Sequence, residues 1–167
     1  MQILAIDTAA AACSVVLWRD GAVRHTQHEA MPRGQDARLL PLIQEVLAAA
    51  QTEFAALDRI AVTRGPGSFT GIRIGLAAAR GLGLALNKPV IGVDRFRLYH
   101  AALRPASDLL VILDSKRDEL FCRLFPVNGN ITEPFRARAS DLAAHDRPDL
   151  VVSGDGALQS VWNHAAL

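Results

Sequence analysis

The chain has 167 residues, half of them hydrophobic and 21% charged, with a net charge of +1. That is enough apolar matter for one or two packed domains and excludes a disordered chain. The near-neutral balance also excludes a protein that grips nucleic acid through its own basic surface. Taken in chain order, Ile3-Leu4-Ala5-Ile6 reads as a strand near 2–6 that ends at Asp7-Thr8. A turn of small residues leads to a second strand near 12–18, Cys13 to Trp18. Asp20-Gly21 then supplies the positive φ angles of a tight hairpin into a third strand near 22–29. A helix follows near 36–50, with Leu39, Leu40, Ile43, Val46, Leu47 and Ala50 on its inward stripe, Leu42 and Ala49 on another face, and Pro41 in or near the first turn. A fourth strand near 59–62 enters a glycine-rich loop. Ser68 or Thr70 caps a second helix near 70–86, which Pro89 prevents from continuing, and a fifth strand lies near 90–93.

Asp7 interrupts the N-terminal apolar run early and no basic residue precedes it, which argues against a secretory signal. No apolar run is expected to reach membrane-spanning length, and the expected location is the cytoplasm. Cys13 and Cys122 stand far apart and read as buried small hydrophobes in a reducing compartment.

The chain repeats itself. Leu109 to Leu113, then Asp114-Ser115, a charged turn, Leu120 to Phe125 and Asn128-Gly129 restate the first strand, its Asp-hydroxyl end, the second strand and a hairpin turn. Asp149 to Ser153, leading into Gly154-Asp155-Gly156, restates Asp58 to Thr63 and its loop. A meander followed by alternating helices and strands implies a mixed sheet flanked by helices, twice over. Two lobes are therefore expected, 1–103 and 104–167, the second incomplete.

This arrangement is similar to the ribonuclease H-like lobes of the actin, sugar-kinase and Hsp70 class, an α/β fold. In that class the hairpins after the first strand of each lobe hold nucleotide phosphates and metal. The resemblance puts Asp7, Thr8 and Asp114 at those positions. The turns there usually carry glycine, so that backbone amides can approach phosphate. Here Thr8 to Ala12 and Ser115 to Asp118 carry none, so the positions read as relics of the fold. The enzyme alternative is a small ATP-dependent phosphotransferase using Asp7 and Asp114 around magnesium.

The run Arg64-Gly65-Pro66-Gly67-Ser68-Phe69-Thr70-Gly71-Ile72-Arg73-Ile74-Gly75 is the most distinctive segment. It lacks the Gly-Lys-Ser/Thr ending of a Walker loop and does not fit a dinucleotide fingerprint. Phosphate binding competes with a tight strand-to-helix turn and close packing. The helix behind it is apolar nearly all round: Ile72, Gly75, Leu76, Ala79, Leu82, Gly83 and Leu86 make one stripe, and Ile74, Ala78, Gly81 and Ala85 a second. Its own sheet covers one side only, so the surplus faces of the two helices suggest a helix-to-helix subunit interface, against burial under the second lobe.

Ile3 to Thr8, Cys13-Ser14-Val15, Leu39 to Ile43 and above all Arg64 to Gly75 resemble the TsaB (YeaZ-like) family over residues 1 to about 125, and more weakly over 149–157. The resemblance implies a non-catalytic partner in the synthesis of threonylcarbamoyladenosine in tRNA. Such proteins pair with a homologous catalytic subunit, TsaD, and act with the ATPase TsaE, reaching tRNA through the complex. The family pairs through the two helices of the first lobe, which implies an interface of Leu39, Leu42, Ile43, Ile74, Ala78, Gly81 and Ala85. No cofactor is expected on this chain alone, with ATP on partner subunits or at a subunit junction left open. A homodimer could share the same surface, and a homo-oligomeric scaffold without a tRNA role is the third reading.

The histidines His25, His28, His100, His145 and His164 include no pair spaced by one helical turn, the spacing with which the catalytic relative binds metal. His25 and His28 fall at odd spacing on a strand and point to opposite faces. Gln35 stands where relatives usually carry His, so that residue's role does not carry over. The further helix and Pro-x-Tyr-x-Arg segment of relatives have no counterpart here, and the chain is either naturally short or a fragment.

Overall fold

Alternating burial along the first strand shows how the sheet forms: Leu4 and Ile6 are buried while Ile3 and Ala5 are only half-buried. In the computed structural model, which describes residues 1–143, 147 and 149–157, this strand is β1 (Gln2–Asp7). It pairs antiparallel with β2 (Ala12–Arg19), Ile6 opposite Val15 and Asp7 opposite Ser14. Asp20 and Gly21 take φ of 47° and 86°, the left-handed pair a two-residue hairpin requires, and lead into β3 (Ala22–Ala30). β1 also pairs in parallel with β4 (Arg59–Thr63), and β4 with β5 (Val90–Val93). The sheet order is β3-β2-β1-β4-β5.

Two helices join one core with this sheet. α1 (Gln35–Ala49) buries Leu39, Leu42, Ile43, Val46 and Leu47 against Leu4, Ile6, Val15, Leu17, Ile60 and Val62. Each such fully buried side chain contributes about 1.5–3 kcal/mol of transfer free energy. α2 (Phe69–Leu86) presents Gly71, Gly75, Ala79 and Gly83 inward. Ser68 caps it, its Oγ accepting from the Gly71 N–H at 3.2 Å, and Asn87 closes it in the left-handed region. α2 is long and apolar enough, by length and composition, to cross a membrane, contrary to the expectation that no run is. Here its glycine-rich side is instead laid against β1, β4 and β5.

The chain divides into two compact units, Met1–Val93 and Asp94–Leu167. In the second, β6 (Leu109–Leu113) pairs antiparallel with β7 (Leu120–Phe125) and parallel with β9 (Val151–Ser153), and β8 (Phe135–Ala137) flanks β7. The order β8-β7-β6-β9 repeats β3-β2-β1-β4 strand for strand, with the same directions. β6 is buried on both faces. Leu110 and Ile112 meet Cys122, Leu142 of the short α4 (Ala139–Leu142) and Val152, whereas Leu109, Val111 and Leu113 meet Phe96 and Phe125. The fold is thus a duplicated ribonuclease H-like α/β arrangement with mixed sheets.

Three local expectations are corrected. α3 (Arg95–Leu103), capped by Asp94, packs Phe96 beside β6, so the unit boundary falls at Val93 rather than after residue 103. Pro41 lies well inside α1, because the helix already begins at Gln35, after Gly34 at φ 95°. Asn128-Gly129 does not make a two-residue hairpin. Only Gly129 is left-handed, and β7 and β8 are joined by a longer loop in which Thr132 N donates to the Leu124 carbonyl.

Candidate functional site

The loop and the first turn form one packed unit. Thr8 is buried, and its Oγ1 donates to the Gly71 carbonyl at 2.7 Å. Ser68 N donates to the Ala9 carbonyl at 2.8 Å. A Cβ on Gly71 would stand 2.0 Å from the Thr8 carbonyl oxygen, and one on Gly75 would stand 2.6 Å from Thr8 Oγ1. The glycines at these two positions let the β1–β2 turn touch the helix backbone. Gly65 is left-handed (φ 98°), and the Gly65–Pro66 bond is cis. Arg64 is exposed, with its aliphatic stem over Gly92. Pro66 and Gly67 are half-buried, and Phe69 and Thr70 are exposed.

Asp7 holds its own turn. Its Oδ1 accepts from Ala9 N at 2.8 Å and from Thr63 Oγ1 at 2.7 Å. The second unit repeats the device: Asp114 Oδ1 accepts from Lys116 N at 2.7 Å, and Lys116 Nζ pairs with Oδ2. Asp155 Oδ1 accepts from Asp114 N, and its other oxygen pairs with the buried Arg95, each at 3.0 Å. Both acids therefore brace Asx turns. A phosphate and metal need free amides and a free carboxylate. In the first turn Ala9 N and Asp7 Oδ1 are engaged with each other, and Asp7 Oδ1 with Thr63 as well, and the turn carries no glycine. Among the described residues no three His, Cys, Asp or Glu side chains come together as metal ligands. His145 and His164 lie outside the described residues.

The helix surfaces separate the predicted interface residues into two sets. Leu39, Leu42 and Ile43 are at most 1% exposed and belong to the core, so they are not available to a partner. The α1 stripe faces inward through Leu42, and Leu40 (52% exposed) points out with Pro41 and Gln44. On α2, Gly81 and Ala85 are exposed, and a Cβ at Gly81 would meet open space. Ile74 and Ala78 are half-buried at the edge of the core. The open face is Phe69, Arg73, Ala77, Arg80, Gly81 and Leu84, with Phe69 and Leu84 exposed at 74% and 87%. Leu40, Ala77 and Leu84 are absent from the residues expected from sequence. The i, i+4, i+4, i+3, i+4 run from Phe69 to Leu84 is the signal that identifies the face. Gln35, in place of the relatives' His, is buried and donates to the Met31 carbonyl at 3.1 Å.

Residues 29–143 match the family model described as TsaD, tRNA N6-adenosine threonylcarbamoyltransferase. The tRNA threonylcarbamoyladenosine biosynthesis protein TsaB of Escherichia coli is 42% identical over 124 residues, which are 72% of this chain and 53% of that protein. The chain spans about half the length of the curated relatives it matches. The crystal structure of YeaZ from Pseudomonas aeruginosa superposes with a TM-score of 0.80 at 28% identity, over 98% of this chain and 82% of that one. An activator of 2-hydroxyisocaproyl-CoA dehydratase from Clostridium difficile, solved with ADPNP, shares the fold at 8% identity and a TM-score of 0.59, over 94% of this chain and 81% of that one. By the family match and by these likenesses, the chain belongs to the TsaB (YeaZ-like) family.

Proposed function

We propose that this chain is a non-catalytic subunit of the machinery that makes threonylcarbamoyladenosine in tRNA, and that it pairs with a TsaD-type catalytic subunit through α2 and the outer edge of α1. The observation that carries this reading is the open apolar face of α2, from Phe69 to Leu84, beside the exposed Leu40. Such a face on a helix otherwise packed into its own sheet is what a partner helix would cover. The names of the relatives supply the pathway, and the engaged Asp7 turn supports a supporting rather than catalytic role. In this reading ATP and tRNA are held by the TsaD-type and TsaE-type partners or where subunits meet, in the cytoplasm. A reconstituted mixture of those partners, tRNA and the threonylcarbamoyl donor should form product only when this chain is added. Full product formation without it would contradict the proposal.

A further inference from the structure

The two duplicated sheets are not equally covered. Leu110 stands opposite Leu124 in the second unit as Leu4 stands opposite Leu17 in the first. Leu4 and Leu17 are wholly buried, in a core that Leu42, Val46 and Leu47 of the 15-residue α1 complete. The counterpart helix α4 has four residues and adds Leu142 to its core. In this unit Leu110, Leu124, Thr132, Phe135, Arg147 and Leu150 line a cavity of about 160 Å³. Leu110 and Leu150 are buried, Leu124, Thr132 and Phe135 are half-buried, and Arg147 is exposed.

The polar groups of this lining are already matched. Thr132 Oγ1 accepts from Leu124 N and donates to the Leu124 carbonyl, each at 3.1 Å. The Arg147 guanidinium pairs with Asp108 and, at 3.6 Å, with Asp149. The remaining walls are three leucines and a phenylalanine. A charged ligand would lose its hydration there without gaining a free counter-charge. Apolar walls held apart by a cavity forfeit dispersion contacts, which an apolar occupant restores. Cavities of about 150 Å³ with such a lining take up benzene or xenon. We infer that this cavity is a binding site for a small neutral apolar molecule about the size of benzene. The site lies within the second unit and does not depend on pairing through α2.

The test uses the full chain, with benzene as the probe and benzoate as its charged control. Titrated benzene should shift the methyl NMR signals of Leu110, Leu124 and Leu150, and should raise the thermal unfolding midpoint as a ligand of the folded state does. Benzoate should bind at least ~10-fold more weakly, because its charge finds no partner. Leu124→Phe, which places a ring in the cavity, should weaken benzene binding at least ~10-fold, with the fold checked by circular dichroism. If that variant does not fold, the methyl shifts of the unmodified chain decide. Unshifted signals at these three leucines would overturn the inference, whatever the midpoint does. Benzoate binding as tightly as benzene, or benzene binding undiminished in a folded Leu124→Phe chain, would overturn it too.

Discussion

The Thr8 carbonyl oxygen lies where a side chain at Gly71 would begin. A Cβ at Gly71 would be 2.0 Å from that oxygen, and Thr8 Oγ1 returns a hydrogen bond to the Gly71 carbonyl at 2.7 Å. The relationship ties the end of β1 to the first turn of α2, and with it the angle at which α2 leaves the sheet. The most distinctive motif of the chain is therefore, at this position, a packing device.

Gly71→Ala should be strongly destabilising, by about 2–4 kcal/mol, because the obstructing atom is backbone and has nowhere to move. Gly81→Ala, on the same helix but facing open space, should be neutral or stabilising by up to ~1 kcal/mol through helix propensity. Urea denaturation of the two variants compares them directly; equal effects would contradict the contact.

Thr8→Val keeps the shape of the side chain and removes the hydroxyl. The Gly71 carbonyl then loses its buried donor, and stability should fall by about 1–3 kcal/mol. Thr8→Ser should recover most of that loss, a difference that thermal unfolding would resolve.

Arg38 joins β3 to α1 by gripping two carboxylates, Glu29 and Glu45, with both forks of its guanidinium. These hydrogen bonds hold both glutamate carboxyls below their usual range. Depressed carboxyls bind fewer protons in the folded than in the unfolded chain. Their stabilisation is thus full above the ordinary carboxylate range and is lost as pH falls through the folded values. Arg38→Met should flatten this acid limb of the stability curve and leave stability near pH 7 only modestly changed, since the cluster is largely solvent-facing. Unfolding midpoints measured from pH 3 to 7 would show it.

Burial pushes the Cys122 thiol up to about 12 and raises Cys13 as well. Both thiols are free and have no exposed surface. A thiol-specific reagent at pH 8 should therefore find neither in the native chain and both after denaturation. Rapid native labelling would show that one of the two strands opens readily.

Much of this architecture was legible in the residues, and the failures have physical causes. β1 to β5, α1 and α2 follow from period-two and helical spacing, and the duplicated strand order follows from the Asp-hydroxyl ends at Asp7-Thr8 and Asp114-Ser115. α3 escaped because it is short and weakly amphipathic, and Asp94 as a cap is its one clear signal. Leu40 and Leu42 exchanged faces relative to expectation, because stripes only a residue or two apart on one helix are told apart by what packs on them. For the same reason the open face of α2 runs through Ala77 and Leu84 rather than Ala78 and Ala85 alone. The purpose of Gly71 and Gly75 was invisible, because the atom they make room for belongs to Thr8, distant in sequence.

The central claim is that the open face of α2 is a subunit interface, and size-exclusion chromatography with mass determination tests it most directly. The chain is mixed with its host's TsaD-type subunit, and the experiment is repeated with Gly81→Asp and Leu84→Asp, both at exposed positions that leave the core untouched. The account predicts a one-to-one complex with the unmodified chain and at least ~100-fold weaker pairing for each variant. A complex that forms equally well with both variants, or no complex with the folded unmodified chain, would contradict it.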